Sequence, residues 1–165
     1  MNQTLEKSLE RFTALFMEAP IGIAIIDSSN GLIYEVNPAY ADITGRKPED
    51  LKEIDWISIT HPDDIQKDLD NMTLLNQGKI KKYEMEKRYI RPNGEIVWIK
   101  MTISPIKVDD STSPQHFCIV QDITERKKVV EALKLIENEF LKDFDSIKNI
   151  ERIRELTKKI EHHGF

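Results

Sequence analysis

The sequence predicts an α+β fold in which a five-stranded antiparallel sheet carries helices on one face. Three observations lead to this prediction. Two short apolar runs joined by a polar turn lie near the N-terminus, two alternating runs joined by Asn93-Gly94 lie further on, and a last apolar run follows them. Three segments with helix start and stop signals separate the first pair of runs from the second. Runs grouped in this way form hairpins, and helices cover one face of such a sheet.

An amphipathic helix is predicted before the sheet, over residues 3–17. Apolar side chains recur there at the spacing i, i+4, i+7 and i+11, at Leu5, Leu9, Phe12 and Phe16. This spacing places them on one helix face. Pro20 ends the helix, because a proline inside a helix removes a hydrogen bond and clashes with the preceding turn.

The first two strands are predicted at 22–27 and 32–37, joined by the turn at 28–31. Asn37 then caps a short helix whose first residue is Pro38, where the missing amide hydrogen has no consequence.

Gly45 is a typical helix-ending residue, so it closes this short helix. A second short helix begins at Pro48. A third, longer helix begins after His61, which is interpreted as its N-cap, and ends near Gln77, at Gly78. Its inward face is predicted to hold Ile65, Leu69, Met72 and either Leu75 or Asn76.

The remaining strands are predicted at 81–90, 96–107 and 116–122, with a polar loop from Asp109 to Pro114 before the last one. Alternation along the first of these strands places one set of side chains on a common face. That set is Tyr83, Met85, Lys87 and Tyr89.

A long helical segment follows, from Glu125 to the C-terminal end. Its apolar residues step by three or four, which is typical of a coiled coil. They are Val129, Leu133, Ile136, Phe140, Phe144, Ile147, Ile150, Ile153, Leu156 and Ile160. The rhythm is imperfect near residues 143–146, which leaves a kinked helix or an antiparallel pair as alternatives, but a continuous helix is favoured. In each case the apolar stripe requires a partner, and a homodimer through the N-terminal and C-terminal helices is expected.

Composition excludes several classes of protein. The net charge is −5, and the 24 Lys and Arg residues are interspersed among 29 acidic ones, unlike a nucleic-acid-binding surface. No apolar run approaches the roughly 20 residues that span a bilayer. We therefore expect a soluble cytoplasmic protein without membrane insertion. The sequence lacks the motifs of a catalytic nucleophile, a metal site or a phosphate-binding loop, so no enzymatic activity is expected.

Six short motifs occur in order between Arg11 and Arg126. They are Leu15-Phe16-Met17-Glu18-Ala19-Pro20-Ile21-Gly22-Ile23, Tyr34-Glu35-Val36-Asn37-Pro38-Ala39-Tyr40, Thr44-Gly45, His61-Pro62-Asp63-Asp64, Asn93-Gly94-Glu95-Ile96-Val97-Trp98 and Asp122-Ile123-Thr124-Glu125-Arg126. Their order and spacing resemble a PAS sensory domain of the S-box kind, including the C-terminal PAC motif. The resemblance implies a signal-transduction module in residues 19–124, preceded by a helix in 1–18 and followed by a helical linker in 125–165.

The resemblance also implies a ligand pocket between the inner face of the sheet and the helices. The candidate pocket residues are Ala24, Ile26, Tyr40, Ile43, Trp56, Ile59, Ile65, Leu69, Met72, Met85, Ile99, Met101, Phe117 and Ile119. This set suits a small apolar ligand, or it fills the core without any ligand. Haem held by a histidine of the long helix is not expected, because residues 65–77 contain no histidine. Flavin photochemistry of the LOV type is not expected either, because the required Asn-Cys-Arg motif is missing.

The junction of the last strand and the C-terminal helix is the predicted relay. Thr124 is a natural helix N-cap, and Asp122 can accept an amide hydrogen or pair with Arg126. We expect a change in the core to shift this junction and the helix that follows. Two alternatives remain: a ligand-free dimerisation or scaffold module, and a sensor fragment of a larger histidine kinase or diguanylate cyclase.

Overall fold

The computed structural model describes residues 3–106 and 114–163, and it confirms the predicted α+β fold. The elements in chain order are α1 (Gln3–Glu18), β1 (Gly22–Asp27), β2 (Ile33–Val36), α2 (Pro38–Thr44), α3 (Pro48–Leu51), α4 (Pro62–Asn76), β3 (Tyr83–Ile90), β4 (Ile96–Ile106), β5 (Gln115–Asp122) and α5 (Thr124–His163). Of the predicted polar loop from Asp109 to Pro114, all but Pro114 lies outside the described residues.

All five strands form one antiparallel sheet in the order β2-β1-β5-β4-β3. The N-terminal hairpin therefore joins the C-terminal strands through β1 and β5. The register pairs Ala24 with Cys118 and Met101 with Val120. Directly paired residues point to the same face, and these four are buried on the face that carries the helices.

The helix boundaries follow from capping residues that the sequence contains. The Asn37 side chain accepts a hydrogen bond from the Tyr40 amide at the start of α2, and Gly45 ends that helix with a φ of 66°. Such a positive φ favours glycine because it has no Cβ. His61 caps α4 by accepting from the Asp63 amide. The predicted roles of Asn37, Gly45 and His61 are confirmed.

A single segment, residues 54–64, bonds to one end of each edge strand of the sheet. At the β2 edge, Leu32 forms a bridge with Asp55 and the Ile33 amide donates to the Ile54 carbonyl. At the β3 edge, the Ile90 amide donates to the Ile59 carbonyl. The His61 amide donates to the Arg88 carbonyl there. The end of the segment also fixes the position at which α4 begins.

The C-terminal helix α5 is continuous from Thr124 to His163, as favoured from the sequence. Contacts divide the chain into two units, Met1–Thr124 and Glu125–Phe165. The described apolar side chains of α5 are exposed, Leu133 by 60% and Phe140 by 69%. Its pairing in a coiled coil stays a prediction. None of the described helices is long and apolar enough to cross a membrane.

Asn37 ties three elements together at one buried point. Its Oδ1 accepts hydrogen bonds from the amides of Ile23 at 2.8 Å and Tyr40 at 3.0 Å. Its Nδ2 donates to the carbonyls of Phe16 at 3.1 Å and Ile21 at 2.9 Å. The residue is 0% exposed. One side chain thus fixes the end of α1, the start of β1 and the start of α2.

Replacing Asn37 by alanine is expected to lower the free energy of unfolding by about 3 kcal/mol, because four backbone groups lose the hydrogen bonds that the buried Asn37 side chain supplies. Urea denaturation measures this change. Asn30→Ala is the matched control, since the Asn30 side chain accepts one exposed bond, from the Leu32 amide. Equal losses for the two variants would show that Asn37 does not have this special role.

Candidate functional site

A buried ion pair lies between the helices and the sheet. Lys87 Nζ on β3 is 2.5 Å from Asp68 Oδ2 on α4. Lys87 is 1% exposed and Asp68 is 2% exposed. Removing two charges from water is unfavourable unless each compensates the other. The pair is therefore a specific feature of this core, and it fixes α4 against β3.

Helical and strand periodicity place both charges in the core. Lys87 belongs to the alternating set of β3 that is buried throughout, with Met85 and Tyr89 on either side of it. Asp68 lies four residues before Met72 and seven before Leu75, so it shares their buried helix face.

The remaining polar atoms around the pair complete a small network. The Tyr83 hydroxyl donates to Asp68 Oδ1 at 2.7 Å, and Lys87 Nζ donates to Thr60 Oγ1 at 3.2 Å. Lys87 Nζ also lies 4.9 Å from the ring centre of Trp56 and 5.1 Å from that of Tyr89. These are cation–π distances. Burial, and then the charge of Asp68, raises the pKa of Tyr83 far above its usual range.

A cavity of about 10 Å³ adjoins this network, lined by Asp68, Tyr83 and Lys87 together with apolar side chains. That volume admits about one water molecule. A surface cleft of about 260 Å³ beside the β1–β2 turn shares Trp56 and Met72 with the cavity. The core is thus closely packed, and these two side chains separate its cavity from the cleft.

A second charge pair joins α4 to β3 at the sheet edge. Asp64 accepts hydrogen bonds from Arg88 Nε at 2.9 Å and Nη2 at 2.8 Å, and from the Arg88 amide at 2.8 Å. The bonds from the Arg88 side chain lower the pKa of Asp64 below its usual value. The Arg88 guanidinium also lies over Trp98, 5.2 Å from the ring centre.

Trp98 connects this edge to the predicted relay. Its amide donates to Thr124 Oγ1 at 3.0 Å, and its carbonyl accepts from the Ile123 amide at 2.8 Å. Asp122 Oδ1 accepts from the Thr124 amide at 2.8 Å. The β5–α5 junction is therefore bound directly to β4. The N-cap bond expected of Thr124 and the pairing of Asp122 with Arg126 stay predictions.

Most predicted pocket residues lie on the inner side of the sheet or on the helices facing it. Nine are buried, namely Ala24, Ile26, Tyr40, Trp56, Ile59, Met72, Met85, Ile99 and Met101. Ile43 and Leu69 are partly buried and pack against this core. Ile65 is partly buried and is not among the core residues.

Phe117 and Ile119 were predicted on the inner face, and this placement is wrong. The buried side chains of β5 are His116, Cys118 and Val120, and alternation directs Phe117 and Ile119 to the opposite face. Because β5 is apolar on both faces, its hydrophobicity alone does not identify the inner one. The polar His116 is buried instead, where its Nδ1 forms a hydrogen bond with Ser28 Oγ.

Asp68 was not predicted from the sequence, and Lys87 was predicted on the same strand face as the pocket candidate Met85 without being named as a pocket residue. Asn76, an alternative for the inward face of α4, is exposed, whereas Leu75 is buried. A signal for Asp68 was present: it lies one turn before Met72, and the inward-facing Lys87 requires a partner of opposite charge.

Removing one member of the Asp68–Lys87 pair is expected to destabilise the fold by about 3–5 kcal/mol, because the other charge remains buried and unpaired. Asp68→Ala and Lys87→Met are the test variants, and urea denaturation gives the free energies of unfolding. The triple variant Asp68→Leu/Lys87→Met/Tyr83→Phe removes both charges and the Tyr83 hydroxyl together, so none of these three groups is left without its partner. It is expected to be more stable than either single variant. A triple variant less stable than both would refute this account of the core.

The Asp64–Arg88 pair predicts a pH-dependent contribution to stability. Because the folded-state pKa of Asp64 is lowered, the contribution is fully present above the unfolded pKa of about 3.9 and is lost as the pH falls through the lower folded value. The stability difference between the wild-type protein and Asp64→Asn should be about 2 kcal/mol at pH 6 and should shrink towards pH 2.5. A difference that stays constant over this range would exclude an ionic origin.

Comparison with known proteins places this site in a familiar fold. The family model described as the PAS fold matches residues 33–120, which is more than half of the chain. Among solved structures, the PAS domain of a protein from Colwellia psychrerythraea superposes with a TM-score of 0.63 at 20% identity, over 72% of this chain and 98% of that chain.

Two relatives are signalling proteins by name. The chain is 30% identical over 124 residues to the probable diguanylate cyclase DgcE of Escherichia coli (strain K12), covering 75% of this chain and 11% of that protein. It is 29% identical over 143 residues to the sensor histidine kinase TmoS of Ectopseudomonas mendocina, covering 85% of this chain and 14% of that protein. The chain thus spans only a small part of the length of either relative. From the family match and the shared fold, it follows that this chain belongs to the PAS family of sensory domains.

Proposed function

We propose that this PAS domain is a cytoplasmic input module that converts a change in its core into a change at the start of α5. The observation that supports this proposal is a continuous series of contacts from the buried Asp68–Lys87 pair to Thr124. The module has no catalytic role of its own. Its output passes through α5 to a further domain or a signalling partner.

The first step of the relay is a rigid coupling within α4. Asp64 and Asp68 are one helical turn apart, so any shift of α4 that moves one of them also moves the other. Their partners, Arg88 and Lys87, are neighbours on β3 and point to opposite faces of the sheet. A displacement at the inner face is therefore transmitted to the outer face at the sheet edge.

The second step leads from the edge to the helix. The Arg88 guanidinium stacks on Trp98, and the backbone of Trp98 bonds to Ile123 and to the Thr124 side chain. Asp122 holds the Thr124 amide. Asp122 and Thr124 thus act as relay residues, and Arg126, in the first turn of α5, continues the relay into the helix.

Homodimerisation is part of the same proposal. Four apolar side chains of α1 are 64–73% exposed, namely Leu5, Leu9, Phe12 and Leu15, and the described apolar side chains of α5 are exposed as well. Two amphipathic helices without an apolar partner in the described residues are suited to pairing between copies. A shift at the junction would then change how the paired helices pack.

A ligand-free dimerisation module is the second candidate. The core cavity of about 10 Å³ favours it, because this volume admits no more than one water molecule. Under this alternative the relay contacts serve stability only. The following experiment separates the two.

Asp68→Asn is expected to speed amide hydrogen exchange at residues 122–128 by about tenfold, because weakening the inner tie loosens the contacts of Arg88 and Trp98. Mass spectrometry of peptic fragments measures the exchange. In a protein that already carries Arg88→Met, Asp68→Asn should cause little further increase in exchange at the junction, because the two residues act in series.

Asp70→Asn is the matched control, because the Asp70 side chain is exposed on the same helix and accepts one bond, from Gln66. Fragments from β1 report global unfolding and are used to correct for it. If Asp68→Asn speeds exchange equally in β1 and at the junction, or if the effects of Asp68→Asn and Arg88→Met simply add, the relay is refuted and the scaffold function is favoured.

A further inference from the structure

We propose that His116 makes the β1–β2 turn at residues 28–31 a proton-sensitive switch, which opens when the imidazole ring of His116 takes up a proton. This inference rests on the proposed sensory function and names its signal, the hydrogen ion. The observation that carries it is the position of the ring. His116 is 2% exposed, and its Nδ1 forms a hydrogen bond with the hydroxyl of Ser28 in the turn.

The surroundings of the ring suit a neutral imidazole. Within the described part of the chain, Ser28 Oγ is the only hydrogen-bond partner of the His116 ring. A protonated imidazole donates from both nitrogens. Their N–H bonds point in different directions, so one oxygen satisfies only one of them. Protonation in the closed state therefore leaves a buried charge and an unpaired donor, and both are unfavourable in the interior.

The described parts of the neighbouring strands hold no negative charge that pairs with the ring. In the sheet, His116 lies between Ile26 of β1 and Pro105 of β4, and both are uncharged. Asp27 follows Ile26, but its Oδ1 accepts from the amide of Ser29 at 2.7 Å and from the Ser29 hydroxyl at 2.5 Å. The bonds from Ser29 lower the pKa of Asp27. The carboxylate of Asp27 is thus committed to the turn and not to the ring.

The other titratable groups on the inner side of the sheet do not compensate the charge either. Cys118 lies two residues further along β5 on the same face, and burial raises the pKa of its thiol to about 12. Burial also raises the pKa of Tyr83 on β3, so both groups stay uncharged near neutral pH. Asp68 of α4 is paired with Lys87. Burial is the cause that acts on His116 itself, and it lowers the pKa of the ring.

The lowered pKa sets the direction of the response. An exposed imidazole has a pKa of about 6.5, so the closed turn is fully favoured above this pH. It loses this preference as the pH falls through the lower pKa of the buried ring. A decrease from neutral to mildly acidic pH is therefore the signal to which the turn responds.

The turn separates the ring from solvent, so its movement gives the ring access to water. Ser28 and Gly31 line the surface cleft of about 260 Å³. The Ser28 amide donates to the Pro114 carbonyl, and the Trp56 amide donates to the Gly31 carbonyl. Gly31 also packs closely against the Trp56 indole, and a Cβ added to it would lie 3.0 Å from Nε1. Opening the turn thus breaks these contacts and changes the surroundings of Trp56.

The ¹⁹F NMR spectrum of the protein labelled with 5-fluorotryptophan tests the inference, since the chain contains two tryptophans, Trp56 and Trp98. Over a titration from about pH 7.5 to about pH 5, we expect the Trp56 resonance to change with a midpoint below about 6.5. His116→Gln is expected to abolish this transition. His61→Asn is the matched control and should keep it, because it removes another histidine and asparagine is also a favourable N-cap for α4.

Ser28→Ala keeps the histidine and removes the partner of the neutral ring, so it should raise the midpoint towards about 6.5. If His116→Gln does not fold, this shift decides the question, and an unchanged or lower midpoint would overturn the inference. A Trp56 resonance that does not respond to pH, an unchanged transition in His116→Gln, or its loss in His61→Asn would also overturn it. So would global unfolding over the same pH range, seen as a loss of far-ultraviolet circular dichroism. The hydrogen-exchange test of the relay is made at neutral pH, so the two proposals can fail independently.

Discussion

The Asp68–Lys87 ion pair is the interaction on which the arrangement of this domain depends. Neither charge is stable in the core without the other, so the pair permits only one register of α4 against β3. That register brings Asp64 to Arg88 at the sheet edge and places Met72 over the core cavity. An apolar core of the same volume could pack as tightly, but it would lack this charge constraint on the register.

Two adjacent residues of β3 perform different tasks because a strand directs them to opposite faces. Lys87 meets the helix inside the core, whereas Arg88 reaches the same helix around the edge of the sheet and stacks on Trp98. The helix thus holds the strand from both sides. The backbone of Trp98 then binds the β5–α5 junction. The contacts on the inner and outer faces of the sheet are thereby both connected to the start of α5.

The sequence predicted those features that local chemistry determines. The caps at Asn37 and His61, the left-handed Gly45 and the alternating face of β3 depend on neighbouring residues, and each was predicted correctly. The burial of Asp68 and His116 depends on partners distant in sequence, Lys87 and Ser28, and local patterns do not report such pairs. Phe117 and Ile119 were predicted on the wrong face of β5, because both faces of this strand are apolar. The pairing of β5 with β1 and β4 decides which face is buried.

Residues 54–64 limit how the sheet can pair with strands of a similar domain beside it. Open strand edges are templates on which another sheet can add, and the danger grows when related domains are joined in one polypeptide at high local concentration. Here a single segment passes from one edge strand to the other and occupies backbone groups of both. The end of each edge strand is thereby unavailable for pairing with another strand. A domain built in this way can stand beside copies of itself and still leave recognition between them to its helices.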